Sequence, residues 1–190
     1  DAVVDYTSGS GTPTLVFNYT VASGHTSSDL DYASTSALAL NSGTVNDAAG
    51  NASILTLPSP GSVTSLGGQK GFIIDTTPAT ISSVTSSTNN GTYKINDVIA
   101  ITVAFSEVVT VSGTPQLTLE TGSSDAVVNY TSGSGSSNLV FNYTISEGHQ
   151  SSDLDYASTS ALALNGGSIL DAAGNASTLT LVAPGASNSL

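Results

Sequence analysis

The chain contains no cysteine, no methionine, no tryptophan and no arginine, and Lys70 and Lys94 are its only lysines. Without cysteine there is neither a disulfide framework nor thiolate chemistry, so stability must come from packing, from contacts between neighbouring units or from bound ions. Without tryptophan there is no indole face on which a sugar could stack. Fourteen acidic residues give a net charge of −12. Phosphate binding relies on Lys and Arg to release counterions, so nucleic acid is excluded as a partner and docking on an anionic membrane is disfavoured. Cations are favoured instead. No apolar run approaches the roughly 18–20 residues of a membrane span, so membrane insertion is not expected. Only 8% of residues are charged while 38% are hydrophobic. That balance suits a folded chain with a Ser-, Thr-, Asn- and Gly-rich surface.

What is present is present twice. DAVVDYTSGSG at Asp1 returns as DAVVNYTSGSG at Asp125, SSDLDYASTSALALN at Ser27 recurs unchanged at Ser151, and DAAGNAS at Asp47 recurs at Asp171. The offset is 124 residues without insertion, and about 48 of the 66 paired positions are identical. A fixed, gapless, long period marks a tandem array. Residues 1–79 read as the C-terminal part of one repeat plus its linking strand. Residues 80–190 read as a second repeat lacking its final strand, so the chain reads as a window on a longer array.

Almost every apolar segment alternates with period two, the signature of half-buried strands. In VIAITVAF, Ile99, Ile101, Val103 and Phe105 share one face. Leu139, Phe141, Tyr143 and Ile145 share another. Strands are expected at 81–87, 98–106, 116–120, 126–132, 139–146, about 161–171 and about 176–181, the last continued in the first copy by 71–75. Ser151–Leu164 stays open between a short helical turn and a strand. Seven short strands separated by Gly-, Asn- and Ser-rich turns suit an all-β, immunoglobulin-like antiparallel β-sandwich.

The run IDTTPATISSVTSSTNNGTYKINDVIAITVAFSEVV, followed by YTSGSG, LVFNYT and LDAAGNAS, resembles bacterial immunoglobulin-like tandem repeats of large extracellular adhesins and surface proteins, the SwmB-type repeat among them. The resemblance covers nearly the whole chain. It implies a stalk, spacer or adhesive role at the bacterial cell surface, often with calcium near domain junctions.

Strand order makes a separate point about acids. In such a sandwich the lead-in to the first strand, the turn after the second and the turn before the last lie at one end. Asp75 precedes the first strand, Glu107 closes the second, and Asp171 with Asn175 forms the late turn. Asp29 and Asp31 of the first copy fall at the opposite end of their unit, beside the junction where Asp75 lies. Calcium takes six to eight oxygen ligands, and this inventory suits such a cage. The plainer reading is that Asp before Gly-Asn caps its own turn and that Asp29 and Asp31 form a solvated face or a cap.

Other chemistry is weak. His25 and His149 stand alone in their copies, against a tetrahedral zinc site. The GSGS runs are turn filler rather than a nucleophile elbow, and no enzymatic constellation appears. Tyr130 and Tyr143 read as core edges, whereas Tyr93 and Tyr156 read as candidate exposed contacts for a glycan or cell-surface partner. The expected function is a non-enzymatic structural spacer of an extracellular surface protein, partnered by neighbouring repeats and stiffened by Ca2+. A binding module and a self-assembling filament completed by strands from a neighbouring copy are the alternatives.

Overall fold

The computed structural model describes all 190 residues, Asp1–Leu190. They form two compact units, Asp1–Thr77 and Pro78–Leu190. The protein is almost wholly β, and every strand ladder is antiparallel.

The first unit contains a two-stranded sheet of β1 (Tyr6–Ser8) and β2 (Val16–Phe17). Its turn depends on Gly9, whose φ is +111° and where a Cβ would stand 2.0 Å from the Thr14 carbonyl oxygen. Only glycine tolerates both conditions. A single-turn helix, α1 (Leu66–Gln69), was not foreseen by the alternating pattern. The Ser65 hydroxyl caps it by accepting the Gly68 N–H at 3.1 Å, one of the free donors at a helix start. Segment 71–75, expected as a strand, instead exchanges 2.8 Å backbone bonds between Ile74 and Ser27 and adds one from Leu30 N–H to the Phe72 carbonyl. Ser65 is the one fully buried residue of this unit.

The second unit holds the core. Its strands are β3 (Ile81–Ser86), β4 (Val98–Ser112), β5 (Gln116–Glu120), β6 (Ala126–Ser132), β7 (Ser136–Thr144), β8 (Asp155–Tyr156), β9 (Leu162–Ala163) and β10 (Ser168–Asp171). They follow one path, β10-β4-β7-β6-β5-β8, with β3 added to β4 and β9 to β5. The path curls because β6 changes partner midway. Ala126–Asn129 pairs with β5, and Tyr130 and Ser132 pair with β7. Strand alternation then puts Ile101, Val103, Leu117, Leu119, Leu139 and Phe141 on the enclosed side, all 0% exposed. Each such side chain contributes about 1.5–3 kcal/mol by leaving water.

Three expectations change in this unit. β4 does not stop at 106 but runs to Ser112, with a bulge between Ala104 and Val109. There β4 advances five residues, from Ala104 to Val109, while β7 advances two, from Asn138 to Ser136. The strand expected over 161–171 breaks into β9 and β10 around Asn165 and Gly166, whose φ angles are +49° and +76°. The expected last strand, 176–181, forms no ladder and contributes only the isolated bridges Leu170–Ala176 and Thr80–Thr178. Ser151–Leu164, left open by the sequence, contains β8 and β9 and no helix.

Candidate functional site

The bulge in β4 decides where Glu107 goes. A bulge leaves residues unpaired and re-aims their side chains, so Glu107 sits within a strand rather than closing one. On the neighbouring edge β10 ends at Asp171, which pairs with Val109, two residues along β4 from Glu107. Ser106 also anchors the lead-in to β3. Its N–H donates to the Thr80 carbonyl at 2.8 Å and its hydroxyl accepts the Thr80 N–H at 3.0 Å. Asp75 lies five residues before Thr80 on the connecting segment. Within the second unit, Glu107 and Asp171 can each offer a carboxylate oxygen, and these lie within 4.8 Å of each other.

Asp171 is 4% exposed and already partnered. Its Oδ1 accepts the Ala173 and Asn175 N–H groups at 3.0 and 2.8 Å, and its Oδ2 accepts the Asn175 side-chain amide at 2.8 Å. The turn-capping reading of DAAGN is therefore realised in full. A carboxylate offers roughly four lone-pair directions, so these three bonds leave Asp171 one direction on Oδ2. Asn175 belongs to this turn through its amide and backbone. Asp75 Oδ1 accepts the Thr77 N–H at 2.9 Å.

Asp29 and Asp31 lie in the first unit. Segment 27–30 does lie beside 72–74 through the backbone bonds above, but the two carboxylates take other surroundings. Asp29 is exposed. Asp31 accepts the Tyr32 N–H at 2.9 Å and the Gly61 N–H at 3.0 Å. Burial pushes its carboxyl upward, but hydrogen bonds from Ser65, Gly61, Tyr32 and Gly67 together outweigh this and hold it down at about 2. A carboxylate ringed by donors is already satisfied by positive hydrogen ends, so Asp31 fits a loop clamp better than a cation cage. The second copy repeats the clamp, with Asp155 accepting the Tyr156 and Gly185 N–H groups at 2.8 Å each.

Tyr156 corrects one surface expectation. It is 1% exposed, and its hydroxyl donates to the Val182 carbonyl at 2.6 Å. In the first copy the Tyr32 hydroxyl reaches the Pro58 carbonyl at 2.7 Å. The motif DLDY is thus a device for tying down a distant loop, and no local sequence signal names the loop it holds. Tyr93 is half-buried and donates to the Asn89 carbonyl within its own turn.

Glu107 and Asp171 offer only anionic oxygen donors, the chemistry that hard cations prefer over soft or nitrogen-preferring metals. No helix is long and apolar enough to cross a membrane. Comparison with protein-family models, with curated proteins and with solved structures finds no match to this chain.

Proposed function

We propose that the chain is a non-enzymatic structural module, an immunoglobulin-like sandwich repeated in tandem within a long extracellular surface protein, where it serves as a spacer. The observation that supports this reading is the gapless 124-residue repetition, reinforced by hydrogen bonds that recur with it. Asp47 caps its turn as Asp171 does, accepting Ala49 and Asn51 N–H groups at 2.9 and 2.8 Å. Near-identical units in series suit spanning distance and presenting one surface many times. They suit a single active site poorly.

Calcium enters this reading at Asp75, Glu107 and Asp171. A bound divalent cation would replace mutual repulsion of three carboxylates with shared ligation and stiffen the chain there. The expected results in millimolar Ca2+ are a higher Tm and a more extended scattering profile, both reversed by chelator. Glu107→Gln should remove that response, read as the difference in Tm with and without calcium for the same variant. An unchanged Tm and profile in calcium would end the metal reading. For the spacer role, immobilised chain on a glycan array should show no saturable binding. The burial of Tyr156 already takes away one of the two aromatic contacts a glycan-binding module was expected to use.

A further inference from the structure

The chain contains two Asn-Gly steps, Asn90-Gly91 and Asn165-Gly166, both in the second unit. In such a step the main chain can attack its own side chain. Glycine leaves its backbone nitrogen unshielded, and that nitrogen can close a five-membered imide on the preceding asparagine amide. Closure requires that the amide turn towards the nitrogen and that the backbone bend with it. Both asparagines are exposed, so access to solvent does not tell them apart. Their tethers do.

Asn165 is held in side chain and backbone alike. Asn165 and Gly166 have φ of +49° and +76°, the paired left-handed conformation of a type I′ turn. The Gly167 N–H closes that turn on the Leu164 carbonyl at 2.8 Å. The Asn165 side-chain amide donates to the Thr114 carbonyl at 3.2 Å. The turn is also pressed against its neighbour, since a Cβ on Gly167 would stand 2.2 Å from the Ser112 carbonyl oxygen. Closing an imide here means giving up the bond to Thr114 and rotating a packed turn. Asn90 carries no such restraint. It lies in the bend between β3 and β4, beyond Ser86 and Ile101, the last pair of that ladder. No hydrogen bond within the chain involves its amide or the Gly91 N–H, and the nearby Tyr93 hydroxyl donates to the Asn89 carbonyl instead. Gly91 has open space around it, where an added Cβ would meet nothing closer than the Tyr93 ring at 3.8 Å.

We propose that Asn90 is a self-modification site, converted by the Gly91 nitrogen and water into aspartate and isoaspartate, while Asn165 in the same dipeptide is spared by its turn. The Gly91 nitrogen forms a bond to Cγ of Asn90 and gives up its proton. The Cγ–Nδ2 bond breaks, and ammonia leaves with that proton. Water then opens the imide. Opening at Cγ yields aspartate, and opening at the main-chain carbonyl yields isoaspartate, with the backbone now running through the side chain. Either product adds one negative charge to the −12 of the chain. The reaction consumes only water, so its extent records the age of the folded chain. It depends on neither the spacer role nor calcium.

The sparse lysines make the test direct. Cleavage after Lys70 and Lys94 puts Asn90 on the peptide Gly71–Lys94 and Asn165 on Ile95–Leu190. The folded full chain is kept in warm, mildly alkaline buffer made with heavy-oxygen water, then cleaved and weighed by mass spectrometry. Asn90 should convert about tenfold faster than Asn165, whose bond and turn must first be broken, and the new carboxylate should carry solvent oxygen. Electron-transfer fragmentation should find isoaspartate beside aspartate at position 90. In urea, which removes the turn and the bond to Thr114, the two asparagines should convert at similar rates. Gly91→Ala places a methyl group beside the attacking nitrogen and should slow conversion at Asn90 while leaving Asn165 as it was. An intact Asn90, equal conversion of the two in the folded chain, or an Asn165 that stays intact in urea would each overturn the proposal. So would aspartate without isoaspartate, because water would then have attacked the amide directly.

Discussion

The Tyr143 hydroxyl lies 2.9 Å from Nδ1 of His149, and the two rings stack with centroids 5.7 Å apart. The Ser146 N–H reaches the same nitrogen at 3.3 Å. A backbone amide can only donate, so Nδ1 is the acceptor, Tyr143 is the donor and the ring proton sits on Nε2. The first copy repeats the arrangement with Tyr19, Ala22 and His25 at 2.8 and 3.2 Å. One histidine per copy thus pins a turn to a strand.

His149→Phe should leave the Tyr143 hydroxyl, on a residue 4% exposed, without its partner and cost about 1–3 kcal/mol. Adding Tyr143→Phe should return part of that loss, because no hydroxyl is then left stranded. A double-mutant cycle by urea denaturation measures the coupling. Strictly additive losses would contradict the pairing.

Phe141→Ala and Phe17→Ala make the same chemical change at equivalent positions of the two copies. The first opens a cavity in a closed core and should cost about 3–5 kcal/mol. The second removes a ring already 40% exposed and should cost about 1 kcal/mol or less. Urea midpoints at constant slope compare the two.

Gly133→Ala forces a side chain into a left-handed conformation, at about 1–3 kcal/mol, and also against the Asn138 carbonyl oxygen at 2.0 Å. Gly135, with φ +84°, has no atom within 4 Å of an added Cβ. Gly135→Ala should therefore lower Tm less than Gly133→Ala does. Equal losses would show that the close approach has no part in fixing the turn.

Acid should loosen the Asp31 clamp late. Its folded carboxyl sits at about 2, below the ordinary 3.8. A depressed carboxyl contributes stability that is complete above the unfolded value and is lost as pH falls through the folded one. The window is therefore pH 4 down to about 2. Asp47 and Asp97 are lowered as well, chiefly by hydrogen bonds from Asn51 and from the Lys94 backbone respectively. The protection of the Gly61 amide against exchange, relative to its intrinsic rate at each pH, should fall across this window and stay unchanged between pH 5 and 7, since Asp31 accepts its N–H.

Alkali acts through the tyrosines. Burial raises the phenols of Tyr143 and Tyr156 above their ordinary value of 10.0, with the Asp155 charge adding to the effect at Tyr156. A raised phenol contributes stability that is full below the unfolded value and lost as pH rises through the folded one. Tm should therefore fall above about pH 10. Tyr156→Phe should flatten that fall while also losing the bond to the Val182 carbonyl.

Sequence alone determined the repetition, the all-β character and most strand positions, because alternation at Val98–Phe105 or Leu139–Tyr143 is a local property of neighbouring residues. Tertiary structure decided what local pattern does not encode. The β4 bulge places Glu107 inside a strand because β7 offers fewer residues across that stretch than β4 supplies. Asp31 became a clamp because Gly61, thirty residues away, brings its N–H there. Identical letters at Phe17 and Phe141 met different fates, since burial depends on which segment covers a side chain and the covering strand β4 occurs once.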